Sequence, residues 1–260
     1  MRIPRRRWLR FSLRTLLVGM LAVGIWLGLW VRSARRQQDV VAWVRQQDGE
    51  VYYEDDTGSG TDYPHWKYLP FPPSWKGQLG RDLEFNVVGI SIEYASEQAL
   101  DIAPLGGLPH LERLSIIGTP VKNLEPLRHL ADLEVLDIDT DDANLDPLRG
   151  KTNLRALDLY SKQSRDLGPL ADLTGLSRLV LNVPAVESLE PLAGLKNLAR
   201  LAVYAPNIES LEPLAGLRRL EHVVLRGETR VRQGQIDQLR ASLPNCTVSC
   251  PWLRRSRDSD

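Results

Sequence analysis

Eight side chains carry the chemistry that this sequence offers: Asp137, Asp139, Asp158, Tyr160, Arg178, Arg200, Tyr204 and Arg226. Their spacing is the informative part. Asp137 and Asp158 are 21 residues apart, as are Asp139 and Tyr160, while Arg178 and Arg200, like Tyr204 and Arg226, are 22 apart. A chain that returns to the same place at that interval stacks them into an acidic patch, a basic patch and aromatic surface between. The chemistry would be non-covalent recognition, with charges orienting a partner and tyrosines adding contact area with a polar tip. Stacked charges can also serve only to keep an exposed sheet soluble, and that alternative stays open.

Covalent chemistry finds no footing. There is no G-x-S-x-G, no phosphate-binding glycine loop and no H-E-x-x-H, so neither an enzyme nor a cofactor is expected. His110 and His129 fall in equivalent slots of adjacent repeats, which leaves a two-histidine metal site open beside the simpler reading of exposed loop histidines. The run from Asp137 to Asn144 resembles the start of a calcium loop. It lacks the glycine at position six, and Leu148 stands where the bidentate Glu belongs. A solvated acidic edge is the expectation there, and no metal is assigned.

The element that must position the eight residues is a repeat. A Leu-x-Pro-Leu motif or close variant recurs at Pro104, Pro126, Pro147, Pro169, Pro191 and Pro213, in steps of 22, 21, 22, 22 and 22. After each Pro-Leu, apolar residues come every third position and then every second, as in Leu105, Leu108, Leu111, Leu114 and Ile116. Of the 30 such positions, 29 hold Leu, Ile or Val, and Lys151 is the exception. Spacing by threes drifts around a 3.6-residue helix, whereas alternation by two suits a short strand with both residues inward. A period of this length marks a solenoid whose turns bury their apolar edges against one another. Three rows should then project from the exposed side of the sheet. The middle row runs Ser91, Ser115, Asp137, Asp158, Val180, Ala202 and Val224. The row after it holds Glu93, Ile117, Asp139, Tyr160, Asn182, Tyr204 and Arg226, and the row before it Gly89, Arg113, Val135, Ala156, Arg178, Arg200 and His222.

The charge is uneven. Formal net charge is zero, yet residues 1–36 hold nine Arg and no acid, which leaves 24 basic residues against 33 acidic ones beyond them. An acidic body lacks the basic face that nucleic acid requires, so no nucleic-acid partner is expected. Residues 16–31 are uncharged and apolar, and counting from residue 12, with Arg14 snorkelling, gives a span of 20. Six Arg precede the run and three follow it, a bias that puts the N-terminus in the cytoplasm and the rest outside. A retained anchor over residues 12–31 is the expectation, with a cleaved or twin-arginine export signal as the rival.

Residues 34–48 read as a separate short helix stopped by Gly49 in a left-handed conformation, and residues 51–53 as a brief strand. The aromatic-rich stretch 57–80 is expected to cap the first turn. Val88, Ile90 and Ile92 form a degenerate first strand. At the far end, Ile236, Leu239 and Leu243 are helix-spaced, and residues 246–248 add a last strand. If their segment is a strand, extended chain sets Cys246 and Cys250 roughly 13 Å apart, beyond disulfide reach, so buried thiols are expected, with a local disulfide as the alternative.

The pattern L-x-P-L-x-x-L-x-x-L-x-x-L-x-L resembles the leucine-rich repeat of the bacterial, internalin-like type. The resemblance covers about residues 87–248. It implies an α/β fold, a right-handed solenoid with a parallel sheet on its concave face and short helical or 3-10 returns behind. One departure stands out. The Asn usual five residues after the strand's first Leu is replaced by Thr119, Asp141, Lys162, Pro184, Pro206 and Glu228, so its hydrogen-bonded ladder must be absent or remade. The layout of Arg-rich opening, single span and repeat domain also resembles a bacterial single-pass envelope protein. The expected division is an N-terminus and signal anchor over 1–36, a juxtamembrane helix and cap over 37–86, repeats over 87–229, a C-terminal cap over 230–253 and a charged tail over 254–260. The expected function is binding of a protein or peptide partner on the concave face outside the cytoplasm. The alternative is a structural or scaffolding envelope component with no specific concave-face ligand.

Overall fold

A computed structural model describes residues 13–54, 85–93 and 98–251. The cap expected over 57–80 and the tail expected over 254–260 lie outside them. The described chain opens with α1 (Leu13–Gln46) and β1 (Glu50–Tyr53). Strands β2 (Val87–Glu93), β3 (Arg113–Val121), β4 (Val135–Thr140), β5 (Ala156–Ser161), β6 (Arg178–Asn182), β7 (Arg200–Tyr204) and β8 (His222–Leu225) follow, then α2 (Gln233–Ser242) and β9 (Thr247–Ser249). The strands form one sheet in chain order, parallel throughout except for antiparallel β1 at its edge.

Each return begins with a 3-10 segment carrying the repeat's proline in its first turn, as in Ala103–Gly107, Glu125–His129 and Glu190–Gly194. Proline sets φ for that turn and gives up no needed donor. The spacing by threes now has its cause. At three residues per turn, positions i and i+3 eclipse, so Leu105, Leu108 and Leu111 all face inward, where they are at most 3% exposed. Leu114 and Ile116 then alternate inward from β3, both fully buried. Repetition of this arc builds one continuous core from Val40 to Cys250.

Lys151, the one break in the apolar pattern, is accommodated by reach. Its ammonium donates to the Leu130 carbonyl of the preceding turn at 2.8 Å, and burial pushes its pKa down. The 3-10 segment before it is short (Asp146–Leu148), and Gly150 turns the chain at φ 74°. Lys151→Leu trades that hydrogen bond for apolar burial and is expected to be neutral or stabilising by up to about 1 kcal/mol. A chemical melt of the variant beside the parent checks it; a large loss would mean that this turn depends on the charge.

The missing asparagine ladder is remade by hydroxyls one residue earlier. Thr140 Oγ1 donates to the Val121 carbonyl at 2.9 Å and accepts from the Asp142 N–H. The Ser161 and Ser164 hydroxyls lie 2.8 Å apart, and Ser164 donates to the Asp142 carbonyl. Farther along, Val183 and Ala205 fill the same inward position with apolar volume.

Two expectations at the N-terminal end are corrected. The helix expected over 34–48 is the second half of α1, which runs unbroken through the Arg-rich residues 32–36. Its stop is Asp48, the residue with positive φ (54°), and Gly49 serves a different purpose. A Cβ at Gly49 would stand 2.8 Å from Ile92 Cγ1 and 3.0 Å from the Ser91 carbonyl oxygen. The chain passes there too close to β2 for any side chain. Before that point, residues 16–31 of α1 are solvent-exposed apart from the half-buried Trp30, and α1 is long and apolar enough to cross a membrane. Ala34, Val40, Val41 and Val44 then pack on the first turn of the solenoid.

At the other end, Ile236 and Leu239 of α2 close the core, as their spacing predicts. Cys246 and Cys250 are free, buried thiols flanking β9, both pushed above the usual thiol pKa by burial.

Candidate functional site on the concave sheet

Pairing between strands brings the predicted rows into register. In the middle row, Ser91, Ser115, Asp137, Asp158, Val180, Ala202 and Val224 are successive partners from β2 to β8. Arg113, Val135, Ala156, Arg178, Arg200 and His222 form the row before it. In the row after it, Asp139, Tyr160, Asn182 and Tyr204 align, while the link from β3 is interrupted where β3 and β4 slip register.

Asp137 is the unusual group. Its Oδ1 is enclosed and has no hydrogen-bond partner among the described residues. Burial, then the neighbouring Asp158 carboxylate, push its pKa up to about 6; Arg178 opposes this, and Glu93 adds to it. Asp158 is itself raised by burial, against the pull of Arg178 and Arg226. Tyr160 is raised by burial and then by Asp137 and Asp158. Asp139 stands somewhat apart, raised by burial with Lys162 opposing and Asp141 adding.

One expectation about layout is corrected. The acidic and basic patches are not separated by aromatics, because Arg178 Nη2 donates to Asp158 Oδ2 at 2.7 Å, where the Asp158 side chain is only 16% exposed. Acid and base meet at the β5–β6 boundary. Asp137, Asp158, Tyr160, Arg178 and Arg226 therefore share one electrostatic environment. Tyr204 lies outside it, with Asn182 between it and Tyr160 in the row and its ring set against Gly227. Arg200 stands beyond Arg178 on β7. Glu93, which the row after the middle one holds although it is not among the eight, and Lys162, which lies outside the three rows, both act on these carboxylates.

Among the described residues no cluster of three or more His, Cys, Asp or Glu is placed to hold a metal. His110 pairs with Asp132 at 3.0 Å, and Asp142 and Asn144 accept from backbone N–H groups two residues on. His110, Asp142 and Asn144 thus serve as turn and corner ties.

Asp137 sets a pH dependence. Its folded-state pKa lies above the ordinary carboxyl value of 3.8. Between about pH 4 and 6 the folded protein thus holds more protons than the unfolded chain, and stability falls as pH rises through that window. Asp137→Asn should melt close to the parent near pH 4 and above it near pH 7.5, by thermal scans at both. An equal offset at both values would contradict the assignment.

No protein-family profile and no curated protein matches the chain. Internalin C2 of Listeria monocytogenes is 30% identical over 59% of this chain and 67% of its own length, with a TM-score of 0.51. The chain belongs to the internalin-like leucine-rich-repeat proteins. A second internalin of that species (19% identity, 66% of this chain, 64% of its own, TM-score 0.47) is also similar. So is a leucine-rich-repeat protein of Leptospira interrogans (19% identity, 56% of this chain, 39% of its own, TM-score 0.47). The leucine-rich-repeat solenoid, with its largely parallel sheet and 3-10 returns, is thus the fold of this chain.

Proposed function

We propose that this leucine-rich-repeat protein is a non-enzymatic, membrane-anchored binder that holds a protein or peptide partner on its concave sheet, outside the cytoplasm. The observation that carries the reading is Asp137. A carboxylate whose inner oxygen lacks a partner costs the fold stability, and it stands on the sheet face that a ligand can reach. Around it, Asp158, Tyr160, Arg178 and Arg226 combine charge of both signs with an aromatic ring, a composition suited to anchoring and orienting a polypeptide. Asp139, Arg200 and Tyr204 extend the surface on either side. The anchor is α1, with the Arg-rich N-terminus on the cytoplasmic side by the positive-inside bias. For the division of the chain we propose an N-terminus and anchor over 1–36, an N-terminal cap over 37–86 into which α1 continues, repeats over 87–229 and a C-terminal cap over 230–253.

The test is capture from envelope extract by the full chain in lipid, beside a variant carrying Asp137→Asn, Asp158→Asn, Tyr160→Ala and Tyr204→Ala. Hot-spot residues make most of an interface's affinity, so a partner retained by the parent should be weakened more than about tenfold in the variant. Equal capture by both, or capture by neither, would favour a scaffolding role.

A further inference from the structure

The helix that carries the apolar segment does not stop at a membrane surface. Its exposed apolar part ends at Val31, and Ala34, the first residue buried on the solenoid, follows three residues later. Gln37 then grips the start of β2, its Nε2 donating to the Phe85 carbonyl at 2.7 Å and its Oε1 accepting from the Val87 N–H at 3.3 Å. Farther on, Val44 meets the chain beside Ile92, near the end of β2. So α1 climbs along β2 from its first residues to its last. Ser33 and Gln37 share a small cleft with Asn86, Gly107, Pro109 and His110, all at the strand-start edge of the first two turns. From Val31 to Gln37 the helix rises only about 9 Å. The headgroup layer beyond the hydrocarbon is roughly 5–8 Å deep. A bilayer crossed by residues 16–31 therefore meets the strand-start edge of the first turn. Parallel strands stacked roughly 4.8 Å apart carry that same edge sideways along the surface.

The charge of the two edges differs in the sense this placement requires. The six segments leading into β3–β8 (106–112, 128–134, 149–155, 171–177, 193–199 and 215–221) hold seven Lys or Arg against five acids. The six segments at the strand-end side of β3–β8 (118–125, 140–146, 161–168, 183–190, 205–212 and 226–232) hold six against ten. Arg32, Arg35 and Arg36 add to the first set at the junction itself and are exposed. An anionic surface attracts the first edge and repels the second.

We infer that the strand-start edge of the solenoid is a membrane-docking surface for anionic lipid headgroups, which stands the arc on edge with its concave sheet opening sideways. This rests on the reading of α1 as a retained anchor, and the test separates the two. Thr174→Cys and Glu187→Cys place a fluorophore on the strand-start and strand-end edges flanking β6, roughly 17 Å apart along the strand. Both native cysteines are buried, so the introduced thiol is the accessible one. The full chain is reconstituted in vesicles of phosphatidylcholine and phosphatidylglycerol containing a lipid with a headgroup quencher. Quenching is expected to be several-fold stronger at residue 174 than at residue 187. The ratio should fall toward one in Lys196→Glu/Arg218→Glu/Arg219→Glu and in vesicles of phosphatidylcholine alone. A chain that does not float with the vesicles defeats the anchor and the inference together. A chain that floats but quenches equally at both positions, or more at residue 187, overturns the docking surface and leaves the anchor standing. Unequal quenching that is indifferent to the charge reversals and to lipid charge removes the anionic headgroup as the ligand.

Discussion

Leu179→Ala is expected to lower unfolding stability by about 2–5 kcal/mol. Leu179 is fully buried on β6, paired in register with Leu157 on β5 and Leu201 on β7. Its truncation removes apolar burial and leaves a cavity between two neighbouring turns that cannot collapse independently, because each is tied to its own neighbour through the sheet. A solenoid's stability is close to a sum of turn and interface contributions. The loss therefore falls on the two interfaces at the middle of the array, the place where uncoupling most divides it. Urea unfolding followed by circular dichroism should show a lower midpoint and a broader transition, as the segments on either side begin to melt apart. Val135→Ala provides the contrast, since Val135 stands on the same sheet but is 36% exposed and should change stability little. Full retention of the parent midpoint in Leu179→Ala would be incompatible with a continuous core.

The fold was legible because its rule is local. Three-residue spacing matches the eclipsed positions of a 3-10 turn, two-residue spacing matches a strand, and a constant period fixes the register of every row that follows. What the sequence hid depended on reach and continuity. Arg32, Ser33, Arg35 and Arg36 interrupt the apolar pattern and so read as a boundary, yet Arg is a good helix former and α1 passes through without a break. Gly49 looked like a left-handed stop because glycine is the usual residue there. The close approach of β2 makes it necessary instead, and Asp48 takes the positive φ. The candidate site shows the same limit. Treating each row as its own ladder put acid and base in different patches, whereas Arg178 is long enough to cross diagonally to Asp158 on the next strand. That Asp137 would keep one oxygen without a partner could not be read from row positions at all, because it depends on how neighbouring side chains settle.

A charge placed at the start of the array should act differently from a cavity placed in its middle. Val44 is fully buried where α1 seals the first turn, at the point where Gly49 allows the chain to pass beside Ile92. Val44→Asp puts a carboxylate into apolar surroundings, and an uncompensated buried charge costs about 3–5 kcal/mol. The cheapest relief is to detach the helix rather than unfold the repeats, because among the described residues α1 packs chiefly on β1, β2 and the first 3-10 segment. Hydrogen exchange should then rise in β1, β2 and β3, and protection in β6–β8 should persist. Gln46→Asp, on the exposed side of the same helix, should leave both regions protected. Under the proposed anchor reading, detachment also changes how the protein is mounted, since α1 carries both the apolar segment and the lid of the solenoid. A helix that no longer grips β2 turns a rigid post into a tether. The edge-selective quenching expected of the parent should then be lost in Val44→Asp even though the distal repeats stay folded. Uniform loss of protection across all strands would instead mean that cap and repeats form one cooperative block, and that the lid holds the whole arc together.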